Sequence, residues 1–394
     1  ADDRFNVYNT EPRPAGDDVV VDVRNLSKTF GDFQAVASIS FDIASGEIFC
    51  LLGHNGAGKS TTISCLTGIL TPDLRKASTA HIYHEEILHT ADGMDRLRAT
   101  LGVCPQHDVL FPKLTLREHI YFFSRLKGKS IAAANRDADN LLEVFHLSDR
   151  AAHLGSELSG GQKRKLSTSI ALAGSSKFVV FDEPTAGMDP VARRELWTLL
   201  RTIRKDRACI LTTHYMDEAD VLGDRVAIMV AGKIAANGTA PWLKNRFSPY
   251  RPAHFDDDNA WFYRLVAHGD KDAVDACVGS KMGKELVAPV AVPVNDGDDA
   301  WAYDVVVPRA SNGVLKLADV FTALDEKEID VRHYAIETTT LEDVFLKVGA
   351  NAEDHNVTDA EAVNAIQSNR SIYEVEAVAP AADFGDASES PHHT

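Results

Sequence analysis

Long apolar runs are missing from this 394-residue sequence. No stretch approaches the roughly 18 apolar residues that a membrane-spanning helix needs, and no apolar leader opens the chain. A role at a membrane would therefore require other segments to do the spanning. Cysteine is scarce as well. The five residues, Cys50, Cys65, Cys104, Cys209 and Cys277, show no C-x-x-C spacing, and several lie in apolar runs. This predicts buried, reduced thiols and a cytosolic compartment rather than a disulfide framework. Basic residues are outnumbered: 41 Lys and Arg against 58 Asp and Glu give a formal net charge of −17. That balance argues against a nucleic-acid-binding surface, while leaving room for one local basic pocket.

What is present is a globular composition, 44% apolar and 25% charged, in a chain long enough for two or three domains. The chain is organised around Gly53-His54-Asn55-Gly56-Ala57-Gly58-Lys59-Ser60-Thr61. The apolar run up to Leu52 reads as a buried strand, and the residues from Thr62 to Gly68 read as a helix. Strand, G-x-x-x-x-G-K-S, helix is the context a phosphate-binding loop requires. Gly53, Gly56 and Gly58 allow the loop backbone, Asn55 and Ala57 included, to turn its N–H groups toward an anion. The helix start at Ser60 and Thr61 adds unpaired donors and partial positive charge. Lys59 can reach the outer phosphates, and the Ser60 hydroxyl can join a Mg²⁺ shell.

Ala1 to Asp18, polar and carrying Pro12, Pro14 and Gly16, reads as a disordered lead-in. Strands follow from Val19, from Ala35 to Ile43 and from Ala80 to Tyr83. Phe30, between the first two, suits either a core anchor or a base-stacking surface. Pro105 ends a short strand just before Gln106. From Leu114 the pattern turns helical, with Thr115 and Glu118 spaced as a capping box and a second amphipathic run over Ile131 to Phe145. Leu158-Ser159-Gly160-Gly161-Gln162 stands before another helix, as an ordinary N-cap turn or as a second anion-binding geometry. Lys177 to Phe181 is an apolar strand ending in Asp182 and Glu183. Asp182 suits Mg²⁺. Glu183, facing the other way, could orient or deprotonate a water. Pro190 stands where the next helix begins. His214 closes the apolar strand from Cys209, at the strand end where open α/β sheets bind ligands.

In this order, these motifs resemble the nucleotide-binding domain of an ABC transporter over roughly Val19 to Phe247. The resemblance implies an α/β P-loop NTPase fold of ABC type, a mixed sheet core with a helical subdomain over about 107–172. It implies that Phe30 stacks on adenine, and that Gln106 touches Mg²⁺ or water and reports to the membrane domain. Ser159, Gly160 and Gly161 would complete the ATP site of an opposing subunit, with Glu183 as the catalytic glutamate and His214 as the switch histidine. Asp189 falls in the D-loop. Cys104 to Phe111, Ala186 to Pro190 and Thr213 to Asp220 are similar to the A subfamily, whose members move lipids. Phe30 replaces the commoner Tyr, and Leu74-Arg75-Lys76-Ala77 stands where glycines are usual.

Beyond Pro252 the pattern is strand, helix, strand, strand, helix, strand, the order of a ferredoxin-like α+β unit. It runs through Trp261–Val266, Lys271–Cys277, Val287–Val294, Trp301–Val307, Val314–Leu324 and Val331–Ile336. A final helix from about Thr339, capped with Glu342, resembles the end of an A-subfamily regulatory domain. The expected division is a lead-in over 1–18, an ATPase domain over 19–250, a separately folding regulatory domain over 251–349 and an acidic tail over 350–394. From Gly349 on, nine acids face one base, Arg370. The expected function is ATP hydrolysis with Mg²⁺ at the cytosolic face of a membrane. The expected partners are a second nucleotide-binding domain and transmembrane domains. The alternatives are a soluble ABC ATPase of translation or chromosome maintenance, or a nucleotide-binding module without catalysis.

Overall fold

The computed structural model describes residues 9–73, 78–83, 85–88, 91–251, 260–269, 287–290, 300–308 and 331–353. The centre is a six-stranded sheet. Four of its strands are β3 (Ile48–Leu52), β6 (Leu101–Cys104), β7 (Phe178–Asp182) and β8 (Ala208–Thr213). They run parallel with β9 (Arg225–Val230), and β10 (Lys233–Gly238) closes one edge antiparallel, in the order β10-β9-β3-β8-β7-β6. The middle strands are apolar up to their carboxyl ends, where Asp182, Thr212 and Thr213 stand, because both faces are covered. Ile48, Cys50, Leu52, Val179, Phe181, Cys209 and Leu211 join one core cluster, while Phe49, Leu51, Phe178, Val180 and Ile210 join the other. That alternation is the two-residue period of a strand.

The second cluster is roofed by an antiparallel sheet of β1 (Val19–Phe30), β2 (Phe33–Ala44), β4 (Thr79–Ile82) and β5 (Glu85–Glu86). The first is covered by helices, including those of the helical region. These are α3 (Leu116–Leu126), with the Thr115–Glu118 capping box in place, α4 (Ile131–Val144) and α5 (Gly160–Leu172). The phosphate-loop helix α1 spans Lys59–Leu66, starting three residues before the apolar periodicity does. Helix α2 (Ala91–Arg98) precedes β6, α6 (Pro190–Ile203) and α7 (Met216–Leu222) follow β7 and β8, and α8 (Ala240–Arg246) follows β10.

Three expectations change. Over residues 9–18 the lead-in is held down rather than disordered. Glu11 N–H donates to Asn237 O at 2.8 Å, Arg225 donates to Glu11 O, and Arg13 pairs with Glu47 and Asp42. Prolines are tolerated there because the segment lies along a sheet edge. The last helix, α9 (Leu341–Glu353), is capped by Thr340 with Asp343, one residue later than expected. Thr339 is instead turned inward, its hydroxyl 2.7 Å from that of Ser248. Finally, Leu341, Val344, Phe345 and Val348 are buried in the first core cluster, against the central sheet and its helices, so this helix belongs to that core and not only to the unit before it.

That unit contains β11 (Ala260–Gly269), β12 (Val287–Val290), β13 (Ala300–Pro308) and β14 (Val331–Thr338), all antiparallel in the order β12-β13-β11-β14. The strand order is the one a split βαβ unit uses. Its expected helices at Lys271–Cys277 and Val314–Leu324, the turn between β12 and β13, residues 1–8 and 74–77, and the tail from 354 lie outside the described residues.

Candidate active site

Strands β3, β8, β7 and β6 are parallel neighbours, so their carboxyl ends share one edge of the sheet. The phosphate loop follows β3, His214 follows β8, Asp182 and Glu183 close β7, and Gln106 follows β6. The expected convergence of these residues is what the topology produces. The amide Nε2 of Gln106 donates to Glu183 Oε2 at 3.1 Å, and His214 Nδ1 lies 3.3 Å from Glu183 Oε1. Glu183 is therefore gripped from both sides by polar side chains that are themselves exposed.

Asp182 is turned to a different partner. Its Oδ1 accepts from the Thr212 hydroxyl at 2.5 Å. Burial raises its pKa, opposed by the Thr212 hydrogen bond, while the Glu183 charge adds to the rise and Lys59 lowers it. A carboxylate held in this way would gain from a cation set opposite it.

Lys59 is buried, and its ammonium donates to two carbonyls of its own loop, Gly53 O at 2.7 Å and His54 O at 3.0 Å. Burial lowers its pKa while Glu183 and Asp182 pull it back up. Gly58 has φ of 103°, and a Cβ there would lie 2.6 Å from Ala35 O. This backbone is closed to other residues on both counts. His54 meets the buried ring of Phe345 edge-on, ring centroids 4.5 Å apart, so the last helix reaches the loop itself.

Phe30 is 40% exposed at the end of β1, with the Lys28 ammonium 5.1 Å from its ring centre, and so is no core anchor. Ser159 caps α5, its hydroxyl accepting from Gln162 N–H at 3.3 Å while Gln162 Oε1 accepts from Ser159 N–H at 3.0 Å. Gly160 and Gly161 have no positive φ, and a Cβ at Gly160 would meet nothing within 4 Å. The chain's own packing gives no reason for glycine there.

Residues 36–186 match the ABC transporter domain family. The chain carries a domain of the ABC transporter family. Over 360 residues, 88% of its length, the chain is 36% identical to the Mus musculus protein named phospholipid-transporting ATPase ABCA3, of which it covers 19%. Over 364 residues, 89% of its length, it is 35% identical to the Homo sapiens protein named ATP-binding cassette sub-family A member 2, of which it covers 14%. The chain thus spans a fifth or less of the length of these relatives. A solved structure titled as the ATP binding subunit of an ABC transporter is 28% identical, with a TM-score of 0.52 over 58% of this chain and 93% of that one.

Two side chains of the ABC domain that the motifs did not single out stand behind this site. Arg164, 3% exposed on α5, donates to backbone carbonyls of the segments at the carboxyl ends of β6 and β7. Glu218 on α7 is fully buried. Its Oε1 accepts from the Thr185 hydroxyl at 2.9 Å and from Trp197 Nε1 at 3.0 Å, and burial raises its pKa. A sequence signal existed for both: each is a charged residue in a helical run whose other inward positions are apolar or small.

Proposed function

We propose that this ABC domain hydrolyses ATP between two such domains and that the cycle drives lipid movement by transmembrane partners. The observation that carries the reading is the grip on Glu183 by Gln106 and His214, beside Lys59 and Asp182, on one sheet edge. Adenine would stack on the exposed ring of Phe30. The phosphates would lie along Gly53 to Thr61, displacing Lys59 from its own carbonyls. Ser60, Gln106 and Asp182 would hold Mg²⁺, which supplies charge neutralisation to the phosphates. A water oxygen forms the new bond to the γ-phosphorus as the bond to ADP breaks. Glu183 orients that water and takes its proton. His214 steadies the γ-phosphate, and Lys59 offsets its charge.

The exposed turn at Ser159, Gly160 and Gly161, where the chain itself asks for no glycine, suits close approach by the nucleotide of a second domain. A surface for the membrane partner would lie on the helical region that follows Gln106 in the chain. Phe111 and Phe122 are exposed there, Phe122 and Phe123 meet edge-on at 5.4 Å, and Val109 is 69% exposed. An apolar patch of this kind suits a short helix from a transmembrane domain. The domain would work at the cytosolic face of a membrane, beside its transmembrane partners; among the described residues no helix is long and apolar enough to cross a membrane. Residues from 251 would act as a regulatory unit. The name of the Mus musculus relative, phospholipid-transporting ATPase, supports lipid transport over a role in translation or chromosome maintenance.

The test is nucleotide binding against turnover. Lys59→Ala should lose most ATP affinity. Glu183→Gln should bind ATP normally and turn over at least ~10²-fold more slowly. Equal loss of binding and turnover in Glu183→Gln would instead place Glu183 among the binding groups.

A further inference from the structure

Arg164 lies one turn into the helix that opens with Ser159, buried among the elements that carry the catalytic edge. Its Nε donates to Pro184 O at 2.7 Å, and Nη2 to Asp182 O at 2.9 Å and Glu183 O at 2.6 Å. On the other side Nη1 donates to Pro105 O at 2.6 Å, with Gln106 O at 3.2 Å and Asp108 Oδ1 at 3.3 Å. Every N–H of one planar, rigid fork is thereby used, and all but one acceptor is a backbone carbonyl.

Those carbonyls belong to the two segments that must meet for the reaction. One bears Gln106 and the other Glu183. Glu183 has φ of 47°, in the left-handed region that non-glycine residues avoid. Such a backbone persists only where its surroundings over-determine it. Here the Glu183 N–H is taken by Thr212, donating to its carbonyl and lying 3.1 Å from its hydroxyl, and the Glu183 carbonyl accepts from Arg164 at 2.6 Å and from the Ala186 N–H at 3.2 Å.

We infer that Arg164 is a positioning residue for hydrolysis: it fixes the strained backbone of Glu183 and holds Gln106 at hydrogen-bonding distance from the Glu183 carboxylate. It touches neither ATP nor water. Because it rides on the Ser159–Leu172 segment, it also makes the position of that helix start felt at Glu183. This rests on the reading of Glu183 as the water-orienting group. A lysine here keeps the charge but offers one nitrogen, which cannot span both segments.

The experiment uses the full chain with Arg164→Lys and Arg164→Gln, measuring ATP affinity, kcat and KM, alone and combined with Glu183→Gln. Both single variants should keep ATP affinity and KM within about threefold while kcat falls about 10²-fold, the scale of a catalytic group displaced by about 1 Å. In the Glu183→Gln background the Arg164 substitutions should cause no further loss, because Arg164 acts through Glu183. Wild-type kcat in Arg164→Lys would overturn the inference. So would loss of ATP affinity or folding along with turnover, which would make Arg164 a general brace, and so would a second full loss in the double variants. A Glu183→Gln protein with normal turnover would instead overturn the hydrolytic reading itself.

Discussion

Phe345→Ala should destabilise the ATPase core as severely as a mutation in the central sheet, although residue 345 lies far beyond the end of the nucleotide-binding motifs. Phe345 is 2% exposed, and Leu341, Val344 and Val348 beside it are 2%, 0% and 4% exposed. Its ring packs in the cluster containing Leu52, Val226 and Leu243, and edge-on against His54. Truncating a phenylalanine so buried costs about 3–5 kcal/mol. For a unit of this size that lowers the unfolding midpoint by roughly 6–20 °C. Leu346, 62% exposed on the opposite face of the same helix, is the internal control. Leu346→Ala should stay within about 0.5 kcal/mol of wild type. Loss of the edge contact, worth about 0.5–1.5 kcal/mol for aromatic pairs, should also loosen the phosphate loop and weaken ATP binding by roughly 2–10-fold. Thermal unfolding and an ATP titration on both variants measure this. A Phe345→Ala protein that unfolds within about 2 °C of wild type would refute the assignment of the last helix to the ATPase core. For the same reason, truncation near Arg251, which the alternating pattern of the later strands makes look harmless, should yield an unstable protein.

Other outcomes follow from the site. Asp182→Asn should raise the unfolding midpoint at pH 7 while removing at least ~10²-fold of turnover. Burial holds the Asp182 pKa above its unfolded value, so the native state binds the proton more tightly and loses stability as pH rises through the raised pKa. The gain should vanish below about pH 3.9, where both states are protonated, and a gain that persists there would refute the cause. His119 is the opposite case. Burial lowers its pKa, and its Nε2 accepts from Phe111 N–H at 2.9 Å. The unfolded chain takes up a proton first, so stability should fall as pH drops below about 6.5. His119→Gln should flatten the slope between pH 7 and 5. Gly58→Ala should cost at least about tenfold in ATP affinity, because its Cβ would strike Ala35 O; normal affinity would mean that the loop can reshape.

The candidate site was legible because its residues are chemically distinctive and stand at the ends of apolar runs. Gly53–Ser60, Gln106, Asp182, Glu183 and His214 needed only the parallel order of β3, β8, β7 and β6 to be brought together. Arg164 left only a faint mark, a charged residue among small and apolar inward positions of its helix, and its role was not legible, since carbonyl partners leave no mark on the residue types that supply them. The last helix was assigned by adjacency: its apolar stripe says that one face is buried, not which layer buries it. Three successive threonines, Thr338 to Thr340, left its cap ambiguous, and the inward turn of Thr339 toward Ser248 decided it. The lead-in looked loose because Pro12 and Pro14 read as loop residues, whereas Arg13 is held by Asp42 and Glu47, about 30 positions away.

The claim on which the account turns is that one chain's Ser159–Gly161 segment completes the ATP site of another. Gly160→Arg tests it most directly, because a Cβ at Gly160 meets nothing within 4 Å, the position is exposed, and the variant should fold. The measurement is mass by light scattering with ATP, in the Glu183→Gln background so that hydrolysis does not undo the complex. Glu183→Gln alone should double in mass when ATP is added. The Gly160→Arg/Glu183→Gln protein should bind ATP with the same affinity and remain a monomer. Dimerisation of the double variant at the same ATP concentration would contradict the shared site.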